Sequence, residues 1–118
     1  MERLHATAID IAGKGVLLVG PSGAGKSDLA LRLLDRGASL VADDQVELNL
    51  KRRGVFASAP KPLRGFLEIR GLGITSVPVT GGTIVSLVVE LVAAGAVERL
   101  PHPLYKTLLG KKIPLICL

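Results

Sequence analysis

The sequence is poor in aromatic residues and in cysteine. Its 118 residues include two Phe, one Tyr and no Trp, and Cys117 is the single cysteine. One cysteine excludes an internal disulfide and fits a reducing compartment. Proteins that bind single-stranded nucleic acid by base stacking need several aromatic side chains, so the composition speaks against that class. The core must instead be built from aliphatic side chains.

Long hydrophobic runs and targeting patterns are also missing. The most apolar stretch, Ile84 to Val97, is interrupted by Ser86 and Glu90 and is shorter than the roughly 20 residues of a membrane helix. The N-terminus lacks the basic and then apolar pattern of a signal peptide. We therefore predict a cytoplasmic protein with no membrane partner, and a length typical of one globular domain.

The charge is unevenly distributed along the chain. Residues 1–50 carry five Lys or Arg against seven Asp or Glu, whereas residues 51–118 carry ten against three. A basic half favours an anionic partner such as a phosphorylated ligand, an acidic protein or nucleic acid. A solvated surface explains the same charge more simply. We interpret Lys51 to Arg53, and Lys111 with Lys112, as solvated turns that are able to attract an acidic partner.

Glycine and proline divide the chain into short elements. Apolar runs predict five strands, over residues 6–12, 16–19, 40–42, 83–91 and 113–118. Apolar i,i+4 pairs predict a helix from Lys26 to Arg36, with Gly37 as its C-cap. A hairpin is expected over residues 46–56, and Pro114 is expected to confine the last strand to a sheet edge. This order predicts an α/β fold with a parallel core and an antiparallel extension.

The strongest motif is a glycine-rich phosphate loop. Residues 20–27 read GPSGAGKS and match G-x-x-x-x-G-K-[S/T] between an apolar strand and an amphipathic helix. Glycines allow backbone N–H groups to point at a polyphosphate, and the helix N-terminus adds a favourable dipole. Lys26 is expected to reach the β- and γ-phosphates, and the Ser27 hydroxyl to bind Mg²⁺. Eight residues are predicted to bind a nucleoside triphosphate or a related phosphate ligand: Gly20, Pro21, Ser22, Gly23, Ala24, Gly25, Lys26 and Ser27.

Two adjacent carboxylates, Asp43 and Asp44, follow the next buried run, residues 40–42. Ligands of α/β sheets bind beyond the C-terminal ends of strands, where a carboxylate can hold Mg²⁺ or accept a proton. Adjacent strand residues point to opposite sides, so we expect the two carboxylates to have different roles. Position alone does not separate a hydrolytic base from a kinase base, and a turn or helix-cap role stays open.

Three runs together resemble the HPr kinase/phosphorylase family. They are the phosphate loop, residues 36–44 (RGASLVADD) and residues 67–74 (LEIRGLGI). The third run is close to the family signature, and His5 stands where the family has a His, one strand ahead of the phosphate loop. The resemblance extends from about His5 to Leu118. It implies a P-loop kinase fold of the HPr kinase/PEP carboxykinase type, with a mixed sheet and few helices.

The resemblance also implies a function. The family phosphorylates a serine of HPr, the small phosphocarrier protein of the phosphotransferase system, and many members reverse the reaction by phosphorolysis. An ATP- and Mg²⁺-dependent serine kinase with an HPr-like partner is therefore expected. Residues 1–118 correspond to a single P-loop kinase domain, because no stretch matches the family's N-terminal domain or its C-terminal helices. This pattern resembles the short, single-domain members of the family.

Site roles follow from the same resemblance. Catalytic roles fall on Asp43, Lys26, His5 and Arg99. Asp43 is implied to be the proton acceptor for the target serine, supported by His5, while Lys26 stabilises the transferring charge. Ser27 and Glu68 are implied to bind Mg²⁺. Arg99 matches an active-site Arg that follows a long strand in the family.

Other functions remain open at this level. An ATP- or phosphate-sensing regulatory module would use the same loop with little or no transfer. A small-molecule kinase is disfavoured because no lid or acceptor-binding segment is recognised after the core. A nucleic-acid binder explains the basic half but not the phosphate loop, so no nucleic-acid partner is expected. Association into a homo-oligomer is left open.

Overall fold

A computed structural model describes residues 1–21, 23–60, 66–69, 73–76, 80–92 and 104–118, of which 66–69 and 73–76 are described by their backbone. These ranges contain one helix, α1 (Lys26–Asp35), and eleven strands. The strands are β1 (Glu2–His5), β2 (Thr7–Ile11), β3 (Lys14–Val19), β4 (Ser39–Ala42), β5 (Gln45–Lys51), β6 (Gly54–Ser58), β7 (Phe66–Ile69), β8 (Gly73–Ser76), β9 (Thr83–Glu90), β10 (Leu104–Leu108) and β11 (Lys111–Cys117). No helix within these ranges has the length and apolar character needed to cross a membrane.

Nine of the strands form one mixed sheet. Neighbouring strands follow the order β1-β5-β6-β9-β3-β2-β4, and β11 with its partner β10 joins alongside β9. The pairs β3–β9 and β9–β11 are parallel, whereas the other neighbours in this sheet are antiparallel. The strands β7 and β8 form a separate antiparallel hairpin. The predicted α/β fold with a mixed sheet and few helices is therefore confirmed.

The parallel core differs in detail from the expectation. The strand after the helix, β4, does not pair with β3, because β2 lies between them and is antiparallel to both. The cause is the tight turn between β2 and β3, where Ala12 and Gly13 have φ of 52° and 87°. Two positive φ angles in a two-residue turn match the right-handed twist of a hairpin. This turn makes β2 the partner of β3 on that side.

The last strand also differs, because β11 is not at a sheet edge. It pairs with β10 on one side and with β9 on the other. Pro114 lies opposite Tyr105 of β10, and pairing with β9 begins one residue later, at Leu115. Proline has no N–H to donate, and its position just ahead of the parallel ladder makes that loss tolerable.

The central strands are buried on both faces. Leu18 of β3 and Val89 of β9 pack beneath α1. Their neighbours Leu17 and Val88 point to the opposite face and pack against β5 and β6, through residues such as Val46. Burial on two faces explains the uninterrupted apolar runs that the sequence shows at these strands. Each fully buried Leu or Val contributes roughly 1.5–3 kcal/mol of hydrophobic stabilisation.

The helix ends one residue before the predicted limit, and Gly37 lies just past the C-cap instead of at it. Arg36 is the C-cap, and Gly37 follows with φ of 105°. The N–H of Gly37 donates to the carbonyl of Leu34, and the N–H of Ala38 donates to that of Leu33, both at 3.1 Å. This pair of bonds is a Schellman motif, which favours glycine because of the left-handed backbone. The motif turns the chain back toward β4 and the two aspartates.

Candidate functional site

The phosphate loop connects the end of β3 to the start of α1, as predicted. Gly20, Gly23 and Gly25 have φ of 147°, 85° and 102°, a region that side chains other than glycine rarely adopt. A Cβ atom at Gly20 would lie 2.7 Å from the carbonyl oxygen of Leu91. The first N–H groups of a helix have no intrahelical acceptor, and such groups bind phosphate. Ser22 lies outside the described residues.

The Lys26 side chain folds back over this loop. Its Nζ donates to the carbonyl oxygens of Gly20 at 2.6 Å and Pro21 at 3.2 Å. The residue is only 8% exposed, and a buried ammonium needs such acceptors to offset its desolvation. A polyphosphate in the loop would offer stronger, charge-assisted acceptors. The geometry therefore places a fixed positive charge where phosphate would bind.

Asp43 lies beside Ser27. The Ser27 Oγ is 3.4 Å from Oδ1 of Asp43, and the hydroxyl of Thr7 donates to the same oxygen at 2.8 Å. Hydroxyl and carboxylate oxygens are the hard ligands that Mg²⁺ prefers. The described residues hold no cluster of three or more His, Cys, Asp or Glu. Mg²⁺ usually takes one or two protein oxygens and completes its shell with phosphate and water, so this donor set fits it.

Asp44 has different surroundings. Its Oδ1 is 2.7 Å from Nε2 of His5, and the two side chains are 67% and 49% exposed. The resemblance implies that His5 supports Asp43, but the observed contact is with Asp44. Asp43 and Asp44 form the turn between β4 and β5, and Asp44 has φ of 72°. The two carboxylates thus differ because of this turn, and not because side chains alternate along a strand.

The turn itself is fixed by its backbone. The N–H of Gln45 donates to the carbonyl of Asp43 at 2.9 Å, and the N–H of Ala6 donates to that of Asp44 at 3.2 Å. Ala6 lies between β1 and β2, so the second bond ties the turn to the segment that carries His5 and Thr7. Aspartate tolerates the left-handed conformation of Asp44 better than most residues. These backbone hydrogen bonds therefore fix the positions of both aspartates relative to the neighbouring strands.

Of the remaining predicted site residues, the structure describes Glu68 by its backbone. Glu68 lies on β7, opposite Ile74 of β8, and the backbone of β7 approaches α1. This brings part of the LEIRGLGI run close to the helix that begins with Lys26 and Ser27. Arg99 lies outside the described residues.

Thr7 is a site residue that sequence reasoning missed. It is 1% exposed and sits in β2 between the buried residues Ala6 and Ala8. A hydroxyl between two alanines at the start of a predicted strand, two residues after His5, is the signal that would have singled it out. Buried hydroxyls need a hydrogen-bond partner, and Thr7 finds it in Asp43.

The sequence of this chain matches a known protein family. The sequence model of the HPr Serine kinase C-terminal domain matches residues 1–116. An HPr kinase/phosphorylase of Malacoplasma penetrans is 38% identical over 96% of this chain and 42% of its own length. One from Bordetella pertussis is 45% identical over 83% of this chain and 35% of its own length.

A solved structure agrees with these matches. The Hpr(Ser) kinase/phosphatase from Coxiella burnetii aligns with a TM-score of 0.89 and 34% identity, over 99% of this chain and 78% of that one. The chain spans less than half the length of the two curated relatives above.

Proposed function

The chain belongs to the HPr serine kinase C-terminal domain family, and on that premise we propose that it is an ATP- and Mg²⁺-dependent serine kinase. Its acceptor is an HPr-like phosphocarrier protein, and residues 1–118 act as one P-loop kinase domain. The observation that carries the proposal is the convergence of Lys26, Ser27 and Asp43 where the phosphate loop meets α1. A phosphate loop, a fixed cation and hard oxygen ligands are the parts that phosphoryl transfer needs.

Nucleotide binding falls to residues 20–27. The loop backbone and the start of α1 hold the phosphates, and Lys26 stabilises the charge on the transferring group. Ser27 and Asp43 hold Mg²⁺, directly or through water, with Glu68 of β7 as a further ligand. When bound, this ion neutralises charge on the phosphates. Arg99 remains the proposed additional contact to phosphate.

Proton transfer falls to the second carboxylate. The hydroxyls of Ser27 and Thr7 both contact Oδ1 of Asp43. These contacts orient the Asp43 carboxylate toward the position that we propose for Mg²⁺. Asp44 is the more exposed of the pair and lies against His5, so an incoming protein substrate is able to reach it. We therefore assign proton acceptance to Asp44, oriented by His5, which revises the role that the resemblance implies for Asp43.

The transfer step is then direct. The serine oxygen of the acceptor attacks the γ-phosphorus of ATP, and the serine proton passes to Asp44. The bond between the γ-phosphorus and the β-phosphate oxygen breaks, and ADP leaves. Catalysis comes mainly from positioning and electrostatics, as in phosphoryl transfer generally. In phosphorolysis, inorganic phosphate would attack the phosphorus of the phosphoserine to form pyrophosphate, the bond from that phosphorus to the serine oxygen would break, and protonated Asp44 would return the proton to the serine oxygen.

A transfer assay tests the proposal. The chain is incubated with γ-labelled ATP, Mg²⁺ and HPr, and the label on HPr is followed over time. The proposal requires serine labelling that is lost with a Ser→Ala HPr and falls roughly 100-fold or more with Lys26→Met, by analogy with loss of a transition-state donor. Lys14→Met, an exposed lysine at the start of β3, is the matched control and should keep the activity. Bound ATP without any label on HPr would instead favour the sensor.

A further inference from the structure

We propose that a cavity far from the phosphate loop binds a small organic anion with two or more negative charges and an apolar body. The cavity has a volume of about 350 Å³ and lies between the β5–β6 turn and the first residues of β9 and β11. Four cationic side chains line it: Lys51, Arg52, Arg53 and Lys111. The inference rests on this arrangement alone and requires no part of the kinase proposal.

The fold creates this convergence. Lys51 to Arg53 form the end of one hairpin, and Lys111 follows the turn of another, so the two groups are distant in sequence. We predicted both groups to be separate solvated turns, but the structure places them around one cavity.

Among the described residues, no carboxylate compensates the positive charge of the cavity. None of its lining residues is an Asp or Glu. Within the described ranges, the ion pairs are Arg3 with Glu47 and His5 with Asp44, so no carboxylate there neutralises the four cations. Like charges gathered around one concave site repel one another and raise the local concentration of anions. A ligand with at least two negative charges would relieve that repulsion.

The floor of the cavity is apolar. Val55, Val85 and Ile113 line it and are buried. Small-molecule sites are concave, have volumes upward of about 300 Å³, and combine apolar surface with polar groups that fix the orientation of the ligand. An apolar floor below a cationic rim therefore suits a compact organic dianion, such as a phosphorylated or polycarboxylated molecule. An acidic protein surface would need a broader and flatter contact.

The cavity is separate from the phosphate loop. Val85 pairs with Gly15 at the start of β3, whereas Leu91 bonds to Val19 just before the loop. Six residues of extended chain span about 20 Å. A ligand of this size in the cavity therefore leaves the nucleotide site free.

A binding titration tests the assignment without any activity measurement. The probe is naphthalene-1,5-disulfonate, a rigid dianion, titrated by calorimetry at low ionic strength in the presence of Mg²⁺ and a saturating non-hydrolysable ATP analogue. We expect saturable 1:1 binding that weakens as salt rises toward 1 M, where charges are screened within about 3 Å. The monoanion naphthalene-1-sulfonate should bind about tenfold more weakly.

Charge-reversal variants locate the site. The double variant Arg52→Glu/Arg53→Glu should weaken the dianion by about tenfold or more, a loss of ~1.4 kcal/mol per decade. Arg32→Glu/Arg36→Glu reverses two exposed charges on and just after α1 and should stay within about twofold. Thermal unfolding of both variants verifies that the fold is kept.

Four results would overturn the proposal. They are absence of saturable binding, binding of the probe only when the ATP analogue is left out, an equal loss in both double variants, and tighter binding of a Glu-rich peptide through the same arginines. The last result would assign the surface to an acidic protein.

Discussion

The two ends of β9 carry the two sites that we propose for anionic ligands, and these sites are built in opposite ways. At the phosphate-loop end, the backbone shapes the site, and the polar side chains that support it, Lys26 and Thr7, are buried. At the cavity end, exposed Lys and Arg side chains on two turns supply the charge. A backbone-shaped site leaves a fixed sequence motif, whereas a site assembled from distant surface side chains leaves none. The comparison explains why sequence reasoning found the first site and missed the second.

The largest expected effect on nucleotide affinity comes from a change in the phosphate loop. Gly20→Ala adds a Cβ that meets the carbonyl of Leu91 at 2.7 Å, in a backbone with φ of 147°. Strain of this kind costs about 1–3 kcal/mol, so we expect affinity for Mg²⁺ and an ATP analogue to fall by up to roughly 100-fold. Calorimetric titration measures this change.

Gly110→Ala is the control from the cavity end. Gly110 also has a positive φ, 82°, but nothing lies within 4 Å of its would-be Cβ. This variant should lower the free energy of unfolding by about 1–2 kcal/mol, because alanine disfavours the left-handed backbone, and should leave nucleotide affinity unchanged. Equal nucleotide affinity in both variants would contradict the view that Gly20 is required by the shape of the loop.

A smaller effect is expected from a substitution of Thr7, near the phosphate loop. Thr7→Val keeps the shape of the buried side chain but removes the hydroxyl that donates to Asp43. A bond to a charged group contributes about 1.5–3 kcal/mol, so we expect the Mg²⁺ concentration for half-maximal transfer to rise roughly tenfold. Thr7→Ser should restore it. A loss of stability in Thr7→Val with no change in Mg²⁺ dependence would reduce Thr7 to a structural role.

The smallest effect concerns a turn outside both sites. Ala12 adopts φ of 52° in the β2–β3 turn, where Asn or Gly is preferred. Ala12→Asn should therefore raise the free energy of unfolding by about 0.5–1 kcal/mol, measured by urea denaturation. Transfer activity should not change, because the turn lies at the opposite end of β3 from the phosphate loop. A stability below that of the parent chain would show that the turn prefers Ala12.

Local features were predictable from the sequence, and tertiary pairings were not. The limits of α1 and the role of Gly37 follow from apolar spacing and backbone preference, which depend on near neighbours. The insertion of β2 between β3 and β4 depends on which strands meet in space. The strand β1 was also missed, because its exposed edge position leaves only a weak hydrophobic pattern.

The same distinction between local motifs and tertiary contacts applies to the candidate site. The phosphate loop and the aspartate pair follow from short motifs, and the structure places them together. The hydrogen-bond partners of the two carboxylates depend on the left-handed backbone of Asp44 in the β4–β5 turn. The alternation of side chains along a strand does not predict such a turn. Thr7–Asp43 and His5–Asp44 are therefore contacts that only the folded chain reveals.

The most direct test of the account compares Asp43→Asn with Asp44→Asn in HPr phosphorylation, with a full Mg²⁺ titration for each. The account predicts that Asp44→Asn lowers the transfer rate by about 10²–10⁴-fold, the range of a general base, at unchanged affinity for the ATP analogue. Asp43→Asn should instead raise the Mg²⁺ requirement and recover activity at high Mg²⁺. Full transfer by Asp44→Asn, together with an Asp43→Asn variant that Mg²⁺ does not rescue, would contradict the account and assign the proton to Asp43.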